Sequence, residues 1–414
     1  MKNQLIIFIL SLVFANLNAQ SLIMNEMVSL GPGYQNQSFY SFSSGETGNV
    51  NNENWDLCFS TGSMSYAIRI NDGKGVELYN YTLGDTSAWS AISPASTGSL
   101  GNPIFNSDTS WSKGAFNKYE DGNFDLGWGM YSMITHHVVG DSLFIVKTVN
   151  GNWKKLWIEE LASGQYTFRH ANLDGSNLVS QSINKNNYPN KSFIYYSIDN
   201  NQIEDREPSS TDWDITFTKY ITPVQGQPYS VTGVLANQGI DVAKADNINS
   251  PNTYTNYISH PFLSAINTIG YDWKTFDMSS FSYFLEDDLC YFVRDISQNI
   301  WRIVFTNFYG SSSGDIEFNK ELMSSSTNTL NSNNEILFMI YPNPAKDKIS
   351  LVYDNLGISI LTIVDVSGKI VYQQEFNNNN FSSQNIDVSF LESGVYITQL
   401  KHKDIVKTQQ LIIK

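Results

Sequence analysis

The stretch Trp55-Asp56-Leu57-Cys58-Phe59 returns as Trp213-Asp214-Ile215-Thr216-Phe217. In each, a period of two puts the Trp, the aliphatic residue and the Phe on one face. The Asp and the small residue take the other, which predicts a half-buried strand with an aromatic inner face. The surroundings repeat too. Upstream, Phe39-Tyr40-Ser41-Phe42-Ser43 answers to Phe193-Ile194-Tyr195-Tyr196-Ser197. Downstream, Trp128-Gly129-Met130-Tyr131-Ser132-Met133 answers to Trp273-Lys274-Thr275-Phe276-Asp277-Met278. Asn152 to Ile158 then matches Asn299 to Phe305, and Tyr166-Thr167-Phe168 matches Ile316-Glu317-Phe318. Blocks that keep their order while the loops between them change length mark a tandem duplication.

Around these blocks, strand-length apolar and aromatic runs are separated by glycine turns, with no sustained helical period. That predicts an all-β chain. Asn150-Gly151 between Asp141–Thr148 and Trp153–Glu159 is the clearest hairpin turn, since Asn-Gly supplies positive φ angles. The first copy is read as residues 20–185 and the second as 186–323. A polar stretch of small residues, 324–335, is a linker. Residues 336–414 form a separate small domain, opened by Tyr341-Pro342-Asn343-Pro344 and ending on the apolar strand Leu411-Ile412-Ile413-Lys414. A chain end of that kind is expected to be tied into a sheet.

At the amino end, Lys2, the apolar run Leu5 to Ala15 and the small Ala19 predict a secretory signal peptide over residues 1–19. The run is too short to span a bilayer. With 25 basic and 40 acidic side chains the formal charge is −15, which argues against a nucleic-acid partner. Two cysteines, Cys58 and Cys290, are too few for a disulfide framework and read as buried thiols.

The carboxy-terminal domain resembles the type A sorting domain of type IX secretion cargo in Bacteroidota. The likeness rests on Tyr341-Pro342-Asn343-Pro344-Ala345, Asp365-Val366-Ser367-Gly368-Lys369-Ile370-Val371, Leu391-Glu392-Ser393-Gly394-Val395-Tyr396 and the terminal strand. It implies an immunoglobulin-like β-sandwich, the type IX machinery as partner through residues 336–414, and a secreted or surface location. The duplicated unit resembles the HmuY-type haem-binding proteins of the same bacteria. The carrying residues are Tyr40-Ser41-Phe42-Ser43 before Asn54-Trp55-Asp56, Phe276-Asp277-Met278, and Asp288-Leu289-Cys290-Tyr291-Phe292-Val293-Arg294. The expected architecture is therefore two tandem HmuY-like antiparallel domains plus the small sandwich.

Family members hold haem iron with two axial ligands, His or Met. The resemblance places the second of them on Met133 in the first copy and Met278 in the second, and it carries no residue over for the first. A thioether can ligate haem iron, yet methionine also fills core gaps. His136 and His137 follow Met133; on a strand they would face opposite ways, whereas in a turn one could approach the same iron. His170, His260 and His402 read as surface residues. No H-E-x-x-H, G-x-S-x-G, P-loop or C-x-x-C occurs, so no enzyme motif is present. The sequence thus points to a non-enzymatic ligand-binding protein with haem as candidate cofactor. The alternative is a surface adhesin or polymer-binding module that kept the fold without haem.

Overall fold

The computed structural model describes residues 22–63, 65–122, 124–325, 338–353, 357–378, 382–402 and 405–414. The expected signal peptide and nearly all of the expected linker lie outside them. Regular structure among these residues is strand with short 3₁₀ turns, an all-β chain as expected. It divides into two compact units between Ser326 and Thr327.

In chain order the first unit contains β1 (Leu22–Ser29), β2 (Asn36–Ser41), β3 (Gly45–Asn51), β4 (Leu57–Ser60), β5 (Ile68–Ile70) and β6 (Glu77–Asn80). There follow β7 (Gly129–Tyr131), β8 (Val138–Gly140), β9 (Phe144–Lys147), β10 (Trp153–Ala162), β11 (Gln165–Asn172), β12 (Val179–Asn184), β13 (Phe193–Ser197) and β14 (Gln202–Glu204). Last come β15 (Ile215–Val224), β16 (Gln227–Ala236), β17 (Asp241–Ala245), β18 (Lys274–Asp277), β19 (Ser282–Leu285), β20 (Cys290–Arg294), β21 (Ile300–Phe308) and β22 (Asp315–Ser324).

Two strand orders recur. One is β14-β13-β4-β5 and its counterpart β3-β2-β15-β16. The other is β12-β11-β10-β9-β6, with counterpart β1-β22-β21-β20-β17. Registers agree as well: Leu156 lies opposite His170 as Ile303 lies opposite Lys320. Equivalent cations hold equivalent loops, Lys155 donating to the Trp89 carbonyl and Arg302 to the Tyr254 carbonyl.

The pairing crosses between copies. β2, from the first copy, bonds to β15 of the second, with Tyr40 opposite Ile215. β13, from the second, bonds to β4 of the first, with Tyr196 opposite Leu57. Likewise β1 of the first copy closes on β22 of the second, the place that β12 takes beside β11 in the other lobe. The lobes are therefore out of phase with the sequence repeats 20–185 and 186–323. One lobe is contiguous from Trp55 to Glu204; the other joins residues 22–51 to 213–324. Each has its own core. Leu57, Phe59, Trp128, Leu156, Phe168, Ile194 and Tyr196 belong to the first, and Tyr40, Phe42, Ile215, Phe217, Trp273, Ile303 and Phe318 to the second.

The repeated Asp residues stitch these closures. Asp56, wholly buried, accepts from the Val149 amide (2.8 Å) and the Ile198 amide (2.7 Å), and Asp214 accepts from the Phe42 amide (2.7 Å). Burial pushes both carboxyls up to about 6, and the amide bonds oppose it. This corrects the half-buried strand: all of β4 is buried. The second face is covered because the lobes meet there. Trp55 and Trp213 precede their strands and turn to that junction rather than to the lobe cores; Trp55 packs with Cys58, Phe193 and Tyr195. Trp111 reaches across, its indole donating to the Ala236 carbonyl at 2.7 Å and its ring meeting Trp213 edge-on.

His170 is a second correction. It is buried, with Nε2 3.0 Å from the Tyr196 hydroxyl, because its strand faces the core at that register. The equivalent site in the other lobe holds Lys320, whose Nζ donates to the Tyr40 hydroxyl, which in turn donates to Glu26. His260 is partly exposed, with Nε2 3.0 Å from the Tyr254 hydroxyl. Cys58 and Cys290 are buried free thiols.

The second unit, taken by itself, has β23 (Phe338–Tyr341), β24 (Lys348–Tyr353), β25 (Gly357–Val364), β26 (Ile370–Asn378), β27 (Ser382–Asp387), β28 (Gly394–His402) and β29 (Ile405–Ile413). They form antiparallel sheets β23-β24-β27 and β26-β25-β28-β29 around one core that includes Ile349, Leu351, Leu361, Ile363, Leu400 and Leu411. The terminal strand is tied in as expected: β29 pairs along β28, and Ala345 donates to the Ile412 carbonyl.

Candidate functional site

Met133 and Met278 occupy equivalent places, each at the tip of a hairpin led in by a buried Trp. Trp128 donates from its indole to the Tyr66 carbonyl and precedes β7–β8; Trp273 donates to the Gly270 carbonyl and precedes β18–β19. The hairpins close alike, Asp141 and Glu286 donating their amides to the Trp128 and Trp273 carbonyls. Both methionines are exposed, 66% and 71%, so neither is a core gap-filler.

His136 and His137 stand on the same hairpin as Met133. His136 has a φ of 58° and donates its amide to the Ser132 carbonyl, closing the turn. Its Nδ1 lies 2.8 Å from the Tyr131 hydroxyl, and Nδ1 of His137 lies 2.9 Å from Glu160. Both rings are thus engaged with neighbours of their own, and Tyr131 is flanked by the Tyr66 and Phe124 rings. No group of three or more His, Cys, Asp or Glu side chains is placed to hold a metal among the described residues.

Beside the second hairpin the surroundings open. A cleft of about 530 Å³ runs between β15–β16 and β18–β19, with Met278 among its lining residues. Its walls carry Tyr34, Tyr229, Tyr271, Phe276 and Tyr283, together with Lys219 and Lys274. The register explains the difference between copies. Tyr66, two residues before Ile68 of β5, has as its counterpart Thr232, two before Val234 of β16; Gly129 has Lys274. A small side chain replaces a ring where space is needed.

Lys274 is the least expected member. Its Nζ donates to the carbonyls of Thr232 (2.6 Å) and Tyr271 (3.4 Å) and sits over the Trp273 ring at 4.1 Å and the Phe308 ring at 4.7 Å. Burial pulls its pKa down to about 7, against the attraction of Asp272. Lys219 is also lowered, by burial and by the nearby Lys74 charge. Burial pushes the Tyr34 phenol up, and Tyr283 adds to that. The sequence reading reached Met278 but missed this cleft. The usable signal was chemical, an alternation of Tyr, Lys and Phe around Trp273 that the first copy lacks.

The carboxy-terminal unit is a two-sheet sandwich whose end is sewn into its own sheet, with the quoted motifs at its turns and strand starts. Residues 339–414 match the secretion system C-terminal sorting domain. The sorting domain marks the protein for type IX export to the cell surface or beyond. The match covers the carboxy-terminal unit, and no family match supports the expected HmuY-like domains. No curated protein matches the chain. Among solved structures it is similar to one described as "Biofilm associated protein - BSP domain", at 11% identity over 97% of this chain and 68% of that one, with a TM-score of 0.17. At that score the likeness carries no argument. No helix among the described residues is long and apolar enough to cross a membrane.

Proposed function

We propose that the exported protein is a non-enzymatic ligand-binding protein whose site is the cleft beside Met278, and that its candidate ligand is haem. One observation carries this: an open, aromatic-walled cleft holds the methionine that the family likeness marks as an iron ligand. The donor set fits haem. Flat aromatic walls suit a macrocycle, two amines suit its propionates, and the Met278 sulfur is a soft iron ligand. A tyrosine would have to supply the opposing ligand. Tyr34 is the poorest of them, because its raised pKa disfavours the phenolate. Bound haem would supply redox and gas-ligand chemistry; the chain itself binds, orients and shields it.

Titrating haemin into the mature protein tests the reading. A saturable Soret shift is expected, altered in Met278→Ala and kept in Met133→Ala. An unchanged titration in Met278→Ala removes that sulfur from the site.

A second reading has its own support. Phe281 and Phe284, on the same hairpin, are 77% and 56% exposed outside the cleft. They extend an aromatic face beyond what one small ligand covers, as an adhesin or polymer-binding surface would. A screen against glycans and host matrix proteins addresses it.

A further inference from the structure

We infer that the cleft beside Met278 selects ligands bearing a carboxylate on a rigid ring, and that Lys219 and Lys274 are the groups that select them. This rests on the ligand-binding reading above and narrows the class of ligand. The chain as a whole is acidic, 40 carboxylates against 25 basic side chains. The cleft reverses that balance: its lining includes two lysines and no Asp or Glu.

Neither amine is neutralised by contact. Partly exposed lysines of this unit pair with carboxylates, as Lys147 does with Glu77, whereas the buried Lys155 and Lys185 donate to backbone carbonyls beside an aromatic ring. Lys274 follows the second pattern, donating to two backbone carbonyls and resting on two aromatic rings, but it does so at the wall of a cleft. Carbonyls and ring faces stabilise an ammonium without cancelling its charge. Asp272, whose charge acts on Lys274, is itself paired with Lys244 at 2.7 Å. Lys219 forms no salt bridge among the described residues, and the Glu53 beside it is taken by Lys74 at 2.6 Å.

Two amines without a carboxylate partner within aromatic walls, whose charged forms an arriving anion would favour, are a receptor for an anion attached to a flat or ring-shaped body. Two sources carry that chemistry: the propionates of a tetrapyrrole and the uronic acids of an acidic polysaccharide.

The test uses the mature full chain and paired probes in calorimetric or fluorescence titration. One pair is haemin and its dimethyl ester; the other is trigalacturonate and its methyl ester. The acid of one pair is expected to bind about tenfold or more tighter than its ester, as one charge-assisted bond would give. The pair that discriminates names the source. That preference should shrink in Lys219→Gln and in Lys274→Gln; Lys219, which carries no carbonyl bonds among the described residues, supplies the readout if the Lys274 variant fails to fold. Esters that bind as tightly as acids overturn the carboxylate inference and leave the cleft as a ligand site. Binding by none of the four probes overturns both. A preference that survives both substitutions overturns the role given to the lysines.

Discussion

Cutting the chain between its sequence repeats and cutting it between its lobes should give opposite results. A fragment 20–185 contains one complete sequence copy, but it lacks β13 and with it Ile194, Tyr196 and Ile198 from the first core. Burial of an aliphatic or aromatic side chain is worth about 1.5–3 kcal/mol, so three amount to roughly 5–9 kcal/mol. The fragment also loses the Ile198 amide that Asp56 accepts, leaving a buried carboxylate short of a partner. A typical domain has only about 5–15 kcal/mol to lose. Its unpaired β1 and β2 would meanwhile expose Val28, Leu30, Tyr40 and Phe42. Fragment 52–205 retains that whole first core and should fold, though weakened where Trp111 loses Trp213 and the Ala236 carbonyl and where Tyr195 loses Glu207.

Urea titration followed by far-UV circular dichroism and tryptophan fluorescence distinguishes them. Fragment 52–205 should show one cooperative transition, and 20–185 none. A third chain, residues 213–324 joined to 22–51 by a short glycine linker, should also fold, because Leu22 already lies opposite Glu321. Cooperative unfolding of 20–185 together with a disordered 52–205 would refute the crossed pairing outright.

Three further outcomes are expected. Gly140→Ala would set a Cβ 1.7 Å from the Ile158 carbonyl oxygen, so urea unfolding should show a loss of about 1–3 kcal/mol or more. Burial lowers His170 to about 4 from an ordinary 6.5, so the stability it contributes is present above pH 6.5 and lost as pH falls through 4; His170→Gln should flatten that part of the stability profile measured by urea titration. Removing residues 339–414 should leave a folded first unit retained in the periplasm, seen by fractionation, and its normal appearance outside the cell would contradict the sorting role.

The aromatic periods, the Trp and Asp of the repeated motif and the hairpin positions were legible in the sequence because each is local. The later blocks aligned in true register: Leu156 does correspond to Ile303, and Phe168 to Phe318. The first block did not. Tyr40 lies opposite Ile215 and Tyr196 opposite Leu57, which makes Tyr196, and not Ile194, the counterpart of Tyr40. A slip of two residues keeps every side chain on its own face, so hydrophobic alternation cannot detect it. Nor can a repeat say which copy of a strand its partner will be. Two near-identical edges accept either, and the choice is made by closure: β1 and β2 pair with β22 and β15 and so complete the last lobe.

That closure also accounts for the asymmetry between the two sites. Each lobe carries a buried tyrosine in the same register, but around Tyr40 stand Lys320 and Glu26, whereas around Tyr196 stand His170 and Gln181. The charged trio belongs to the lobe whose closure depends on strands from the far end of the unit. There the Lys320–Glu26 pair, 3.8 Å apart, adds a charged contact between β22 and β1 to the apolar packing. The neutral trio belongs to the contiguous lobe. The hairpins diverge in the same division of roles. The contiguous lobe fills the space beside its hairpin with the Tyr66 and Tyr131 rings, while the closed lobe places Thr232 there and leaves a cleft framed by Lys274 and Met278. Duplication supplied two equivalent scaffolds. The Tyr66 and Tyr131 rings fill the space beside the first hairpin, and Thr232 leaves it open beside the second, so the two repeated methionines stand in different surroundings.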